Sequence, residues 1–274
     1  MTDASSKQRV GGLFRGPPAY VSATPWPWHR ALGAALLILA LSNAAAAVLF
    51  AKMPTARGML WLLGAGFWGE QRAVLLAMEV AVEVLIVVLT LAACRLLGGT
   101  IPGVALGAPA GGRTTYLGGV LMGLGLWGLL GLLAFLPTEL VTLLVNLQVM
   151  LEEIVGVRAP PPSPLPSPTD TTQWVLLGVG VMVTGPLAEE LLFRGFLLSA
   201  LSRSRLGFGG AAVLTSVLFA AWHGDAFIPR LLELFIMGLA FSWLLWRTGS
   251  LRVPVVSHAA FNGAWFVSES TGLL

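Results

Sequence analysis

Two adjacent glutamates, two histidines and an asparagine stand in stretches otherwise too apolar to tolerate them. Beginning at Gly185 the chain reads GPLAEELLFRG. Glu190 and Arg194 are four apart and share a helix face, so an ion pair is their natural reading. Glu189 points about 100° away from Glu190 and has no such neighbour. A carboxylate without a local partner in an apolar helix is available for acid–base work, the competing reading being one structural network of both acids with Arg194. Pro186 has no backbone N–H, so it kinks the helix and frees carbonyls just before the acids. FAAWH then places Phe219 and His223 four apart at the end of a short apolar run. Taken alone, a histidine there reads as a packing residue. HAAFN follows Pro254 and puts His258 and Asn262 on one face of the last helix, where both need hydrogen-bonding partners. The chain has three histidines, and two of them fall in apolar helices that also carry the glutamate pair and Asn262. Their coincidence carries more than any one of them.

The elements that hold these residues are membrane helices. Of 274 residues, 56% are apolar and 11% charged, where a soluble domain has roughly a quarter charged. Such a chain cannot cover a water-facing surface. Thirty-three glycines and ten tryptophans suit close helix packing and an aromatic belt at the lipid–water boundary. Residues 31–51 and 114–138 are uncharged, and 73–94 is interrupted only by Glu79 and Glu83; a crossing needs roughly 20 apolar residues. Further spans read at about 173–200, 208–223, 228–247 and 252–268. The expectation is an all-α polytopic bundle of seven crossings. An eighth arises if the stretch Glu139 to Arg158 spans rather than lying at the interface. Met59 to Gly69, with Trp61 and Trp68, is too short to span and is expected to lie at the interface or dip into the membrane. Cys94 is the single cysteine, so the chain has no internal disulfide.

The layout follows. Residues 1–30 form a basic arm, 31–158 the N-terminal helices, 159–170 a connector and 171–274 the helices that carry the chemistry. APPPSPLPSPTD has six prolines in twelve residues, which cannot form helix and read as a stiff, extended linker. With the N-terminus in the cytoplasm and seven crossings, ten Lys and Arg lie inside (Lys7, Arg9, Arg15, Arg30, Arg95, Arg113, Arg203, Arg205, Arg247, Arg252). Five lie outside (Lys52, Arg57, Arg72, Arg158, Arg230), so the positive-inside rule favours that orientation. The net charge of +3 suits anionic lipid heads, and the dispersed basic residues make no nucleic-acid surface.

EELLFRG, FAAWH and HAAFN, in that order on successive helices, resemble the E-E-x-x-x-R, F-x-x-x-H and H-x-x-x-N motifs of the CPBP family. That family comprises type II CAAX prenyl endopeptidases and bacterial bacteriocin-processing or abortive-infection proteins. The resemblance covers roughly residues 173–268, with no motif position missing. It implies an intramembrane endopeptidase in a bacterial inner membrane, acting on a membrane-anchored peptide that is either a prenylated CAAX-type sequence or a leader. By resemblance Glu189 activates water, His223 helps hold it, and His258 and Asn262 donate to the oxyanion. Glu190 and Arg194 fix the helix and the local charge. No cofactor is expected. The alternative is one zinc ion on Glu189, His223 and His258, a two-histidine, one-carboxylate set; no H-E-x-x-H helix is present. Nor is there a G-x-S turn of the serine-nucleophile type. A reading from a different class is a transporter or proton-coupled channel built on Glu79 and Glu83, with Arg230 and Glu233 beside it; the absence of a visible inverted repeat counts against it. Substrate identity and oligomeric state are not legible in the sequence.

Overall fold

The computed structural model describes residues 13, 18–21, 24–62, 69–98, 112–132, 138–155, 168–223 and 228–271. Every regular element among them is helical, as a chain that must satisfy its backbone inside lipid requires. In chain order these are α1 (Trp28–Leu62), α2 (Gly69–Gly98), α3 (Arg113–Gly131), α4 (Thr138–Val155), α5 (Thr171–Leu201), α6 (Gly207–Trp222), α7 (Ile228–Thr248) and α8 (Arg252–Thr271). The protein is a helical membrane bundle.

Five stretches among the described residues are long and apolar enough to cross a bilayer: Trp28–Leu49, Arg72–Gly98, Arg113–Gly131, Thr171–Leu201 and Arg230–Thr248. Helix α6 is apolar but has only 16 residues, about 24 Å against a hydrocarbon layer of about 30 Å. Helix α8 is long enough, but the polar groups it carries, His258 and Asn262 among them, keep it out of that set. The segment expected as a separate interfacial piece from Met59 is corrected in part. Residues 59–62 continue α1, and 63–68 lie outside the described residues. The stretch after Glu139 is helical and packs against α7, with Leu143 and Ile154 exposed. Most of the proline-rich connector lies outside the described residues.

Packing sets the frame. Helices α1 and α2 pair; α2 runs beside α5; α6 lies on α7, and α8 on α3 and α7. At the α3–α8 contact a Cβ on Gly123 would collide with the Ser257 carbonyl oxygen. Gly119 and Gly123 form a small-xxx-small step that lets the two backbones approach this closely, which hydrophobicity alone cannot drive in lipid. Trp26, Phe193, Phe196, Phe219, Phe241, Leu234 and Met237 fill the interior. Part of the N-terminal arm is docked: the Ala19 and Tyr20 amides donate to the Arg247 and Trp246 carbonyls at 3.3 and 3.1 Å. Thr24 donates to the Ser199 carbonyl at 3.1 Å.

Helix α5 begins abruptly after the prolines because Asp170 caps it. The Asp170 carboxylate accepts from the Gln173 amide at 3.0 Å, and the Gln173 side chain reaches back to accept from the Thr169 amide at 3.1 Å, a reciprocal N-terminal cap. Beyond it α5 is irregular. Gly180–Thr184 and Glu190–Leu198 are wound as π-helix on either side of a short α-helical turn, Gly185–Glu189. Such widened turns occur chiefly where a helix serves a functional site.

Candidate active site

The kink that Pro186 introduces has a definite outcome. The Gly185 amide bonds five residues back, to Gly180; the next acceptor in that pattern is Val181, and Pro186 has no N–H to give it. Asn262, 81 residues away, donates its side-chain Nδ2–H to the Val181 carbonyl at 2.6 Å. Helix α8 thus closes the hydrogen-bond gap that α5 opens. Both the kink and Asn262 were legible in sequence; their pairing was not.

Just past the kink the two glutamates part. Glu190 is wholly buried, and its Oε1 accepts from Arg194 Nη1 at 2.9 Å and from His258 Nδ1 at 3.1 Å. The Arg194 guanidinium is also wholly buried and lies 4.4 Å from the centre of the Phe219 ring, a cation–π seat for the part of it that has no hydrogen bond. Glu189 faces the other way. Its side chain is 19% exposed, with Oε1 3.9 Å from His223 Nε2 and Oε2 3.8 Å from His258 Nε2. Glu189, His223 and His258 therefore converge from α5, the end of α6 and α8, as the motif order requires.

The ring nitrogens can be assigned from their partners. His223 Nδ1 lies 2.8 Å from the Phe219 carbonyl, which can only accept, so Nδ1 carries hydrogen and Nε2 faces Glu189. His258 Nδ1 donates to the Glu190 carboxylate in the same way. Its Nε2 accepts when the ring is neutral and donates only when the ring carries both protons. Both Nε2–carboxylate separations exceed a direct hydrogen bond and are of the kind a bridging water spans. The shortness of α6 explains how His223, at the end of its helix, reaches Glu189 in the middle of α5.

Phe219 does double duty, meeting the His223 ring at 4.8 Å as well as the guanidinium. Phe241 on α7 stacks on His258 at 4.8 Å and 26°; nothing in its sequence surroundings marks it, since a phenylalanine in an apolar helix looks like any core residue. Arg230 and Glu233 form the local pair expected of them, at 2.7 Å. As a zinc site the three converging groups are too open. Tetrahedral zinc with bonds of about 2.0–2.1 Å places its donors about 3.3 Å apart, shorter than either separation here. No group of three or more such side chains among the described residues is close enough to hold a metal ion.

A cavity of about 560 Å3 opens beside Glu189 and His223. Asn43 of α1 and Arg72, Glu79 and Glu83 of α2 also line it, so the two early glutamates of the transporter reading belong to this cavity. Glu83 is seated by a short hydrogen bond from the Thr184 hydroxyl. A Cβ on Gly185 would lie 2.8 Å from Glu83 Oε1; glycine at the π-to-α junction lets that carboxylate sit against the kink.

Comparison with known proteins agrees with the motif reading. Residues 171–264 match the family model of Rce1-like type II CAAX prenyl endopeptidases. A Bacillus subtilis strain 168 protein named "Putative membrane peptidase YdiL" is 34% identical over 80 residues, 29% of this chain and 32% of that protein. An Escherichia coli protein named "Uncharacterized 24.3 kDa protein" is 37% identical over 86 residues, 31% of this chain and 40% of that protein. The chain thus spans well under half the length of these curated relatives. No solved structure matches. The class defined by fold and comparison is a helical membrane protein whose residues 171–264 are similar to Rce1-like type II CAAX prenyl endopeptidases, and that stretch holds all seven motif residues from Glu189 to Asn262.

Proposed function

We propose that this protein is an intramembrane endopeptidase that hydrolyses a peptide bond of a membrane-anchored substrate without a metal. One observation carries the reading: the Glu189 carboxylate has a histidine Nε2 3.9 Å from one oxygen and another 3.8 Å from the other, at the wall of a peptide-sized cavity. A water held between Glu189 and His223 gives a proton to the Glu189 carboxylate as its oxygen attacks the carbonyl carbon of the substrate. The carbonyl becomes a tetrahedral oxyanion. The doubly protonated His258 ring, backed by Glu190 on Nδ1, donates to it from Nε2, and the second N–H of Asn262 is the other donor. The proton on Glu189 passes to the departing amine as the C–N bond breaks. One preorganised donor of this kind supplies about 2.7–4 kcal/mol to the transition state.

The substrate is a prenylated C-terminal motif or a leader peptide. The membrane is the bacterial inner membrane, with the N-terminus in the cytoplasm. Glu79 and Glu83 line the same cavity as Glu189, which favours one shared site over a separate transport path.

The test is cleavage of a fluorogenic, lipid-anchored peptide by the reconstituted protein. Glu189→Gln should lower the rate by about 10²–10⁴-fold, the contribution of a positioned base, with the fold intact. A Glu189→Gln protein as fast as wild type would remove the proposed base and the mechanism with it.

A further inference from the structure

The cavity has a graded wall that catalysis does not use. Arg72, Leu75, Leu76, Glu79, Val82, Glu83 and Ile86 follow one another at helical spacing, so one face of α2 lines the cavity throughout its length. At its outer end stands Arg72, the first residue of a membrane span. The Arg72 Nε and Nη1 are shielded from solvent and have no hydrogen-bond partner among the described residues. Arg194 and Arg230, by contrast, each hold a glutamate. A guanidinium presents a planar fork of donors that matches a carboxylate. Shielding such a group without an acceptor is unfavourable, and a ligand that brings the acceptor relieves it.

Glu79, Glu83 and Glu189 line the same cavity as Arg72. Arg72 and Glu83 are eleven residues apart, about 16 Å along the helix, which an extended chain covers in about five residues. The cavity wall therefore carries a guanidinium at Arg72 and carboxyl groups about two and three turns further along α2. An anionic group finds its complement at Arg72 and none at Glu79 or Glu83, so a peptide carrying one is held in a single direction.

We propose that Arg72 is a specificity-determining residue that binds a carboxylate of the substrate peptide whose scissile bond lies at Glu189. The inference rests on the peptidase reading of Glu189 and adds a substrate requirement to it. Either a C-terminal carboxylate or an acidic side chain supplies the chemistry.

The experiment compares three fluorogenic, lipid-anchored peptides of one sequence: with a free C-terminal carboxylate, with an amidated end, and amidated with Asp in place of the C-terminal residue. Wild-type protein should prefer one or both of the anionic peptides over the neutral amide by about 10- to 100-fold in kcat/KM, the range of a charge-assisted hydrogen bond. Whichever anion is preferred identifies the source of the carboxylate. Arg72→Gln should bring that ratio to about one, and Arg72→Lys, which keeps charge but loses the fork, should leave an intermediate ratio. Thermal unfolding of each variant confirms that it is folded. Equal cleavage of all three peptides by wild type overturns the inference and leaves the peptidase intact. A uniform loss on all three in Arg72→Gln also overturns it, because Arg72 then serves the fold or a lipid phosphate. Cleavage of none overturns the peptidase reading and this inference together.

Discussion

Glu189 and Glu190 are neighbours in sequence, and the structure gives them opposite burdens that one pair of substitutions separates. Glu190 and Arg194 are both fully buried and 2.9 Å apart. Removing one partner of such a pair strands the other charge and costs about 3–5 kcal/mol. Glu190→Gln keeps one hydrogen-bond acceptor, so the lower end, about 3 kcal/mol, is expected. The same change weakens the acceptor on His258 Nδ1, so activity falls through a mispositioned ring. Glu189 is partly exposed and makes no direct hydrogen bond to either histidine, and Glu189→Gln should leave stability within about 0.5 kcal/mol. The single, buried Cys94 on α2 provides the readout: a thiol-reactive fluorophore reports unfolding as that residue becomes accessible. The double variant Glu190→Leu/Arg194→Met removes the buried charges as a pair and should recover most of the lost stability without recovering activity. The reasoning fails if Glu190→Gln unfolds at the wild-type temperature, or if Glu189→Gln is the less stable of the two.

Two further outcomes follow from the site. Asn262→Ala should lower kcat by about 10²–10³-fold, the usual effect of losing one oxyanion donor, and should also destabilise the protein by about 1–3 kcal/mol because the Val181 carbonyl loses its partner; lost stability with kcat intact would leave Asn262 only as a brace for the kink. Activity of purified protein should survive strong chelators, with well under one zinc per chain by elemental analysis, since the donors around Glu189 are too far apart for tetrahedral zinc; abolition by chelation and restoration by added zinc would replace the glutamate mechanism with a metal one.

What the sequence determined was whatever depends on local spacing and on solvent. Composition required a membrane bundle, since a chain with 11% charged residues has no water-facing surface to build. The Glu190–Arg194 pair and the Arg230–Glu233 pair followed from spacings of four and three residues, because helix geometry alone brings such side chains together. The helix break at Pro186 followed from a missing donor. Tertiary structure decided the contacts between helices. His258 meets Glu190 across 68 residues, Asn262 meets Val181 across 81, and Thr184 meets Glu83 across 101. No periodicity encodes these, because helix association in lipid lacks the hydrophobic contrast that marks a buried face in water. It is set by close fits such as Gly123 on Ser257 and Gly185 on Glu83, which a sequence shows only as two glycines among thirty-three. For that reason Glu79 and Glu83 read in sequence as evidence for a second function, and only the packing of α2 against α5 placed them in the cavity beside Glu189.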